Sequence, residues 1–175
     1  HGSLWRMRIR LPIVQVDTVV VWVLLFLVEY LSGLVEFYAR NTIMKDRESA
    51  KRVISWTEDI SWSHAIIGGL GQNIPEETFF RGYLLAETYP LSPWLGYGFS
   101  SLAFGMVHRY WDRWKVLNTI IAGLILAYLF IYTDSIIPPI TAHLANNLLI
   151  IPPARHWSKK LLDSLGHSQT KSTCE

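Results

Sequence analysis

The stretch "VLNTIIAGLILAYLFIYT", residues 116–133, decides the fold class of this chain. It contains no charged residue, and a helix of this length crosses most of the hydrocarbon core of a bilayer. A surface helix would carry a polar face, and a strand of a membrane barrel would alternate polar and apolar residues. The stretch therefore predicts a membrane helix.

Four other apolar segments surround it, at about residues 11–38, 60–85, 88–107 and 135–154. Half of the 175 residues are hydrophobic and only 17% are charged, which is a low charged fraction for a soluble domain. The sequence predicts an all-α fold, a multi-pass integral membrane helical bundle with about five membrane helices. Residues 39–59 form a charged amphipathic connector that is expected to lie along the membrane interface.

The basic residues predict the orientation of this bundle, because basic loops are retained in the cytoplasm. With five crossings, the connector, the loop after residue 107 and the tail share one side of the membrane. Their basic residues are Arg40, Lys45, Arg47, Lys51, Arg52, Arg109, Arg113, Lys115, Arg155, Lys159, Lys160 and Lys171. The opposite side carries Arg6, Arg8 and Arg10. The tail and the basic loops are predicted to be cytoplasmic and the N-terminus to be outside.

The net charge argues against a nucleic-acid partner, and the single cysteine excludes an intrachain disulfide. A net charge of +2, with basic residues spread over segment ends, argues against a nucleic-acid partner. The only cysteine, Cys174, lies next to the last residue, so no intrachain disulfide can form. We interpret it as an inert thiol in the tail.

The stretch "NIPEETFFRGYLL", residues 73–85, carries ionisable side chains into the second apolar segment. Glu77 and Arg81 are four residues apart and are predicted to form a pair on one helix face. Glu76 projects about 100° away from Glu77, so it is predicted to lack that partner and to be available as a general base. The alternative is that both glutamates face an aqueous rim and only solvate a helix end. Ionisable groups within membrane segments favour the functional interpretation.

Two further spacings of four occur on other apolar segments. Phe104 and His108 share one helix face, and His143 and Asn147 share another. A single buried histidine is more often a hydrogen-bonded packing residue than a catalytic one. Two histidines on separate helices, together with an unpaired glutamate on a third, favour a shared site.

The ordered motifs EExxxR (Glu76, Glu77, Arg81), FxxxH (Phe104, His108) and HxxxN (His143, Asn147) resemble those of the CPBP family of intramembrane proteases. These are the CAAX-processing and bacteriocin-processing enzymes, also called the Abi or type II CAAX endopeptidase family. The resemblance covers about residues 61–152. Members of this family commonly have more membrane helices than the five found here, which predicts a minimal or shortened member.

The resemblance implies hydrolysis of a peptide bond within the membrane by an intramembrane endopeptidase. Glu76, helped by His108, would activate a water molecule, and His143 with Asn147 would stabilise the oxyanion. Three supporting residues complete the expected site, with Glu77 and Arg81 fixing the helix and Phe104 packing beside His108. The expected partners are a peptide or protein substrate in the membrane and the lipid bilayer itself.

No cofactor is favoured, and zinc is the alternative. Glu76, His108 and His143 could form a two-histidine, one-carboxylate metal site with an open water position. The chain lacks HExxH, the zinc signature carried by a single helix. The substrate stays open between a prenylated C-terminus, a leader peptide and a membrane protein.

Two other function classes compete with proteolysis. A non-proteolytic scaffold or bacteriocin-immunity regulator of the same fold would be expected to lose the polar motif positions, which are all filled here. A small transporter would use membrane carboxylates and histidines as a proton relay. Transporters commonly show inverted repeats, and none is seen in this sequence.

The whole chain, residues 1–175, is predicted to be a single membrane domain. Residues 1–3 are interpreted as a tag remnant, about 61–152 as the catalytic core, and 153–175 as a polar tail. Glu29 and Asn118 are expected to make interhelical hydrogen bonds or to face a cavity. Gly68, Gly69 and Gly71 are expected to permit close helix approach. Pro75 is expected to kink its helix at the site.

Overall fold

The computed structural model describes residues 16–109 and 113–172, and this part of the chain contains helices and no strand. The predicted all-α class is therefore confirmed. The helices are α1 (Val16–Tyr38), α2 (Arg47–Thr57), α3 (Trp62–Glu77), α4 (Pro93–Val107), α5 (Arg113–Thr133), α6 (Ile137–Leu149) and α7 (Ile151–Ser172). A π-helical turn, Ala39–Ile43, extends α1, and α3 continues as a π-helix, Thr78–Leu85, with a last α-helical turn, Ala86–Thr88.

Two helical segments among the described residues are long and apolar enough to cross a membrane. They are Val16–Ile43, with a mean hydropathy of 2.2, and Trp114–Thr133, with a mean hydropathy of 2.0. Residues 11–15 of the first predicted segment lie outside the described residues. The other three predicted segments correspond to α3 with its π-helical extension, α4 and α6. The chain is an all-α membrane protein, and the number of its crossings stays a prediction.

The burial pattern of the helices is the reverse of that in a soluble protein. Asn73, Glu77 and Arg81 are completely buried, whereas Leu24 and Leu31 of α1 are each 56% exposed. A water-soluble protein rarely exposes a long contiguous apolar face. The arrangement suits lipid outside and polar contacts between helices inside.

Close helix approach depends on individual glycines. A Cβ on Gly123 of α5 would lie 3.1 Å from Cα of Ser101 of α4, so the two backbones pack with almost no side chain between them. The expectation of close approach at three glycines of α3 holds for Gly69, where a Cβ would lie 2.7 Å from Cδ1 of Leu144. It was wrong for Gly68 and Gly71, which have no such neighbour within 4 Å.

The connector and the tail form a pair of packed helices. Asp46 begins α2 by accepting a hydrogen bond from the backbone N–H of Ser49 at 3.0 Å, a standard N-cap contact. Most of the predicted polar tail, residues 153–175, belongs to the helix α7, which packs against α2. On α7, the buried residues Ile151, Ala154 and Leu161 recur at helical spacing. They form an apolar stripe along one side of this helix.

Candidate active site

One face of α3 carries three polar side chains into the protein interior. Asn73, Glu77 and Arg81 follow one another at intervals of four residues, and none is exposed. Pro75 lies inside α3, and the helix becomes π-helical directly after Glu77. The inner face of this helix therefore presents an amide, a carboxylate and a guanidinium to its neighbours.

Glu77 is the centre of a buried ionic cluster. Arg81 Nη1 donates to Glu77 Oε1 at 3.2 Å, and Arg81 Nε lies 3.2 Å from Oε2, within ion-pair distance but outside hydrogen-bond geometry. The structure thus contains the predicted Glu77–Arg81 pair. His143 Nδ1 of α6 lies 2.9 Å from the same Oε1 atom. Arg81 Nη2 also donates to the carbonyl oxygen of Gly123, which ties α3 to α5.

The ring of Phe104 on α4 packs against the guanidinium of Arg81 and against two imidazole rings. Its ring centroid is 4.3 Å from the guanidinium carbon of Arg81, a cation–π distance. The ring centroids of His108 and His143 lie 5.2 and 5.6 Å away. Phe104 therefore packs beside His108, as predicted, and also beside His143.

Three donors on α6 bind acceptors on other helices. Besides the His143 contact, Asn147 Nδ2 donates to Asn73 Oδ1 at 3.0 Å, and Asn146 Nδ2 donates to Glu29 Oε1 of α1 at 3.1 Å. The interhelical bond expected for Glu29 is thus present, and Asn118 likewise accepts one from Ser32 at 2.9 Å. These contacts fix the rotation of α6 relative to α1 and α3.

Glu76 has different surroundings from Glu77. It is partly exposed, and its Oε1 accepts a hydrogen bond from Gln72 Nε2 at 3.0 Å, one turn earlier on the same helix. Its Oε2 has no hydrogen-bond donor among the described residues. Glu76 lies within electrostatic range of His108. The carboxylate that contacts His143 is Glu77, whereas the sequence had assigned Glu76 to the group containing both imidazoles.

A cavity of about 390 Å³, open on one side, lies beside the buried ionic cluster. His108, His143 and Asn147 line this cavity together with Glu29 and Asn146. Gln72 also lines it, while its partner Glu76 does not. The structure therefore brings both imidazoles and the amide to one cavity and places Glu76 behind Gln72.

Sequence reasoning did not single out two residues of this site. Asn73 was missed although it lies four residues before Glu77, a spacing that places both on one helix face. Gln72 was missed although it stands at the same spacing before Glu76. Both signals were present in the sequence as polar side chains one turn before the glutamates.

The zinc alternative does not fit this arrangement. In the part of the chain that the structure describes, no group of three or more His, Cys, Asp or Glu side chains is placed so as to hold a metal ion. Glu76, one of the three predicted ligands, does not line the cavity that the two imidazoles share. We therefore assign no step of the reaction to a metal.

The fold and the site define an all-α membrane protein in which ionisable and amide side chains line a cavity. A family model described as type II CAAX prenyl endopeptidase Rce1-like matches residues 58–149, and the chain belongs to this family. The matched residues span α3 to α6 and include all seven predicted site residues. No curated protein matches the chain, and no solved structure matches it.

Proposed function

We propose that the protein is an intramembrane endopeptidase that hydrolyses a peptide bond of a membrane-associated substrate with an activated water molecule. The observation that carries the proposal is the cavity shared by His108, His143 and Asn147, in a chain of the CAAX prenyl endopeptidase family. Prenylated C-terminal peptides are the substrate class that this family description favours. We further propose that the chain crosses the membrane several times, with its tail in the cytoplasm.

Water activation is assigned to Glu76 and His108. His108 Nδ1 lies 2.9 Å from the carbonyl oxygen of Phe104, and because a carbonyl oxygen only accepts, Nδ1 carries the hydrogen. In that tautomer Nε2 is the acceptor nitrogen of the neutral ring. Glu76 does not itself line the cavity, but it lies within electrostatic range of His108, and its Oε2 has no hydrogen-bond donor among the described residues. We therefore assign the water proton to this carboxylate oxygen.

Oxyanion stabilisation is assigned to His143 and Asn147. Glu77 holds Nδ1 of His143, so Nε2 is the nitrogen that would face the substrate, and it donates when the ring is doubly protonated. Asn147 has two N–H groups on Nδ2 and uses one on Asn73, which leaves the other for the oxyanion. One such amide donor lowers the barrier by about 3 to 4 kcal/mol.

The test is cleavage of a defined peptide by the purified protein in liposomes. A farnesylated peptide with a CAAX end and the same peptide without the lipid are compared, and products are identified by mass spectrometry. We expect wild type to cleave the farnesylated peptide, and Glu76→Gln to lose about 10² to 10⁴-fold in rate with an unchanged unfolding midpoint. Full activity of Glu76→Gln would refute the role of Glu76.

Two further arms separate the remaining alternatives. If wild type cleaves neither peptide, the membrane peptidomes of cells with wild type and with Glu76→Gln are compared, and identical peptidomes contradict proteolysis. Activity that disappears in a strong chelator and returns with zinc would contradict the metal-independent reaction. Activity retained in the chelator supports it.

A further inference from the structure

A second recess adjoins the cavity of the active site, where α3 and α7 begin. It is a groove of about 440 Å³. Its basic side chains are Arg155, His156 and Lys159 of α7, and its apolar lining includes Ile60 and Ile151. Among the described residues, no acidic side chain lines it. The groove therefore combines cationic groups with an apolar wall.

The basic side chains of the groove are placed to bind an anion. Arg155 Nη2 donates to the backbone carbonyl of Glu58, which holds the guanidinium in position and uses one of its five N–H groups. Lys159 lies one helical turn further along α7 and is also exposed. A phosphate at this position would receive hydrogen bonds from both residues, as phosphates commonly do from Arg and Lys.

The position of the groove in the bundle identifies the kind of anion. The groove lies where α6 ends and α7 begins, beside Trp62 at the start of α3, which is 59% exposed. Tryptophan at the end of a membrane helix commonly lies at the level of lipid headgroups. An apolar wall next to the basic groups suits a ligand with a hydrocarbon chain as well as a phosphate.

We infer that this groove binds the headgroup of an anionic phospholipid, with Arg155 and Lys159 on the phosphate and the apolar wall beside the glycerol and acyl chains. The groove adjoins the larger cavity and shares Ile60, Ala65 and Ile151 with it, but Arg155 and Lys159 do not line that cavity, so the inference does not rest on the proposed function. It also does not depend on which side of the membrane this end of the bundle faces.

The test is the binding of short-chain phosphatidylglycerol to the intact protein in detergent, measured by native mass spectrometry. Phosphatidylcholine of the same chain length is the neutral comparison. We expect phosphatidylglycerol to bind about ten-fold more tightly, and Lys159→Gln to weaken its binding about five-fold, the effect of removing one basic residue near a lipid surface. Arg155→Gln is expected to weaken it further, because Arg155 makes the charge-assisted contact.

Lys160 provides the matched control, since it is the adjacent exposed lysine on the same helix and does not line the groove. We expect Lys160→Gln to bind phosphatidylglycerol as wild type does. Equal losses in the Lys159 and Lys160 variants would overturn the site in favour of a general charge effect. Equal binding of the two lipids would also overturn it.

Inorganic phosphate separates a lipid site from a site for a free anion. We expect millimolar phosphate to displace the lipid only weakly, because phosphate lacks the chains that contact Ile60 and Ile151. Displacement of the lipid by phosphate at equal concentration would contradict a phospholipid ligand. The binding measurement requires no activity, so a failed proteolysis experiment leaves this result interpretable.

Discussion

Glu76 and Glu77 are neighbours in the sequence, but their side chains have different partners in the folded protein. Glu77 is completely buried between Arg81 and His143, whereas Glu76 is partly exposed and bonds to Gln72. Replacing Glu77 with Gln would leave the buried charge of Arg81 without its counter-ion. Breaking a buried ion pair in this way costs about 3 to 5 kcal/mol.

We therefore expect Glu77→Gln to lower the free energy of unfolding in detergent by about that amount. Glu76→Gln removes the same charge from the adjacent position and is expected to change the free energy of unfolding by less than about 1 kcal/mol, since Glu76 forms no ion pair with any residue that the structure describes. Denaturant midpoints of the two variants, followed by circular dichroism, make the comparison. Equal losses in the two variants would contradict the structural role of Glu77.

Glu29, like Glu77, has a structural role, and it can be measured separately. Its Oε1 accepts the hydrogen bond from Asn146, the residue before Asn147. Glu29→Leu would leave the amide of Asn146 without its acceptor, at a cost of about 1 to 3 kcal/mol. Glu29→Gln keeps an acceptor and is expected to cost less. The same unfolding measurement ranks the two variants, and a Gln variant as unstable as the Leu variant would contradict the hydrogen-bond explanation.

The sequence predicted some contacts of single residues and not others. The Glu77–Arg81 pair follows from a spacing of four on one helix, which needs no knowledge of packing. The Glu77–His143 contact joins α3 to α6, so it depends on how the two helices are rotated against each other. No spacing within one helix contains that information. For this reason the sequence could not decide which glutamate meets His143.

At the scale of helices, the apolar segments were predicted well and the local irregularities were not. The helices α3 to α6 lie within the predicted segments or extend them by a few residues. The π-helical stretch Thr78–Leu85 was not predicted, because a wider turn leaves no distinct pattern of apolar residues. The helix α7 was not predicted, because its apolar stripe is narrow and most of its other residues are charged or polar.

The contact between α4 and α5 gives a prediction that belongs to this scale. A Cβ on Gly105 of α4 would lie 3.0 Å from the carbonyl oxygen of Val116 and would overlap Ile120, so Gly105→Ala forces α5 outward. Overpacking of this kind costs about 1 to 3 kcal/mol.

Gly98 on the same helix is the matched control, because a Cβ there would meet nothing within 4 Å. We expect Gly98→Ala to stabilise the protein by up to about 1 kcal/mol through helix propensity alone. Thermal midpoints in detergent should therefore move in opposite directions for the two variants. A shift in the same direction would contradict the close packing of α4 on α5.

For the whole molecule, the functional site extends beyond the residues that match the family. The family model matches residues 58–149. Glu29 of α1 lies outside this range, but it lines the cavity and accepts a hydrogen bond from Asn146 of α6. The wall of the cavity therefore includes α1, which lies outside the matched region.

Contacts among the described residues link the three basic regions predicted to share one side of the membrane. Arg40 and Lys115 line the same cavity, and Arg155 of α7 contacts the backbone of Glu58 just after α2. Because basic ends are retained in the cytoplasm, these regions and the chain terminus beyond them should face the cytoplasm. Cys174 is the only cysteine of the sequence, so labelling of its thiol can show on which side of the membrane this end of the chain lies.

We expect a membrane-impermeant maleimide to leave Cys174 unlabelled in intact cells and to label it after the cells are lysed. The variant that combines Cys174→Ser with Ser3→Cys moves the thiol to the other end of the chain, which five crossings place outside. It should be labelled in intact cells. Labelling of both thiols in intact cells, or of neither, would require an even number of crossings and would contradict the five-helix arrangement. Labelling of Cys174 alone would keep the number odd and reverse the orientation.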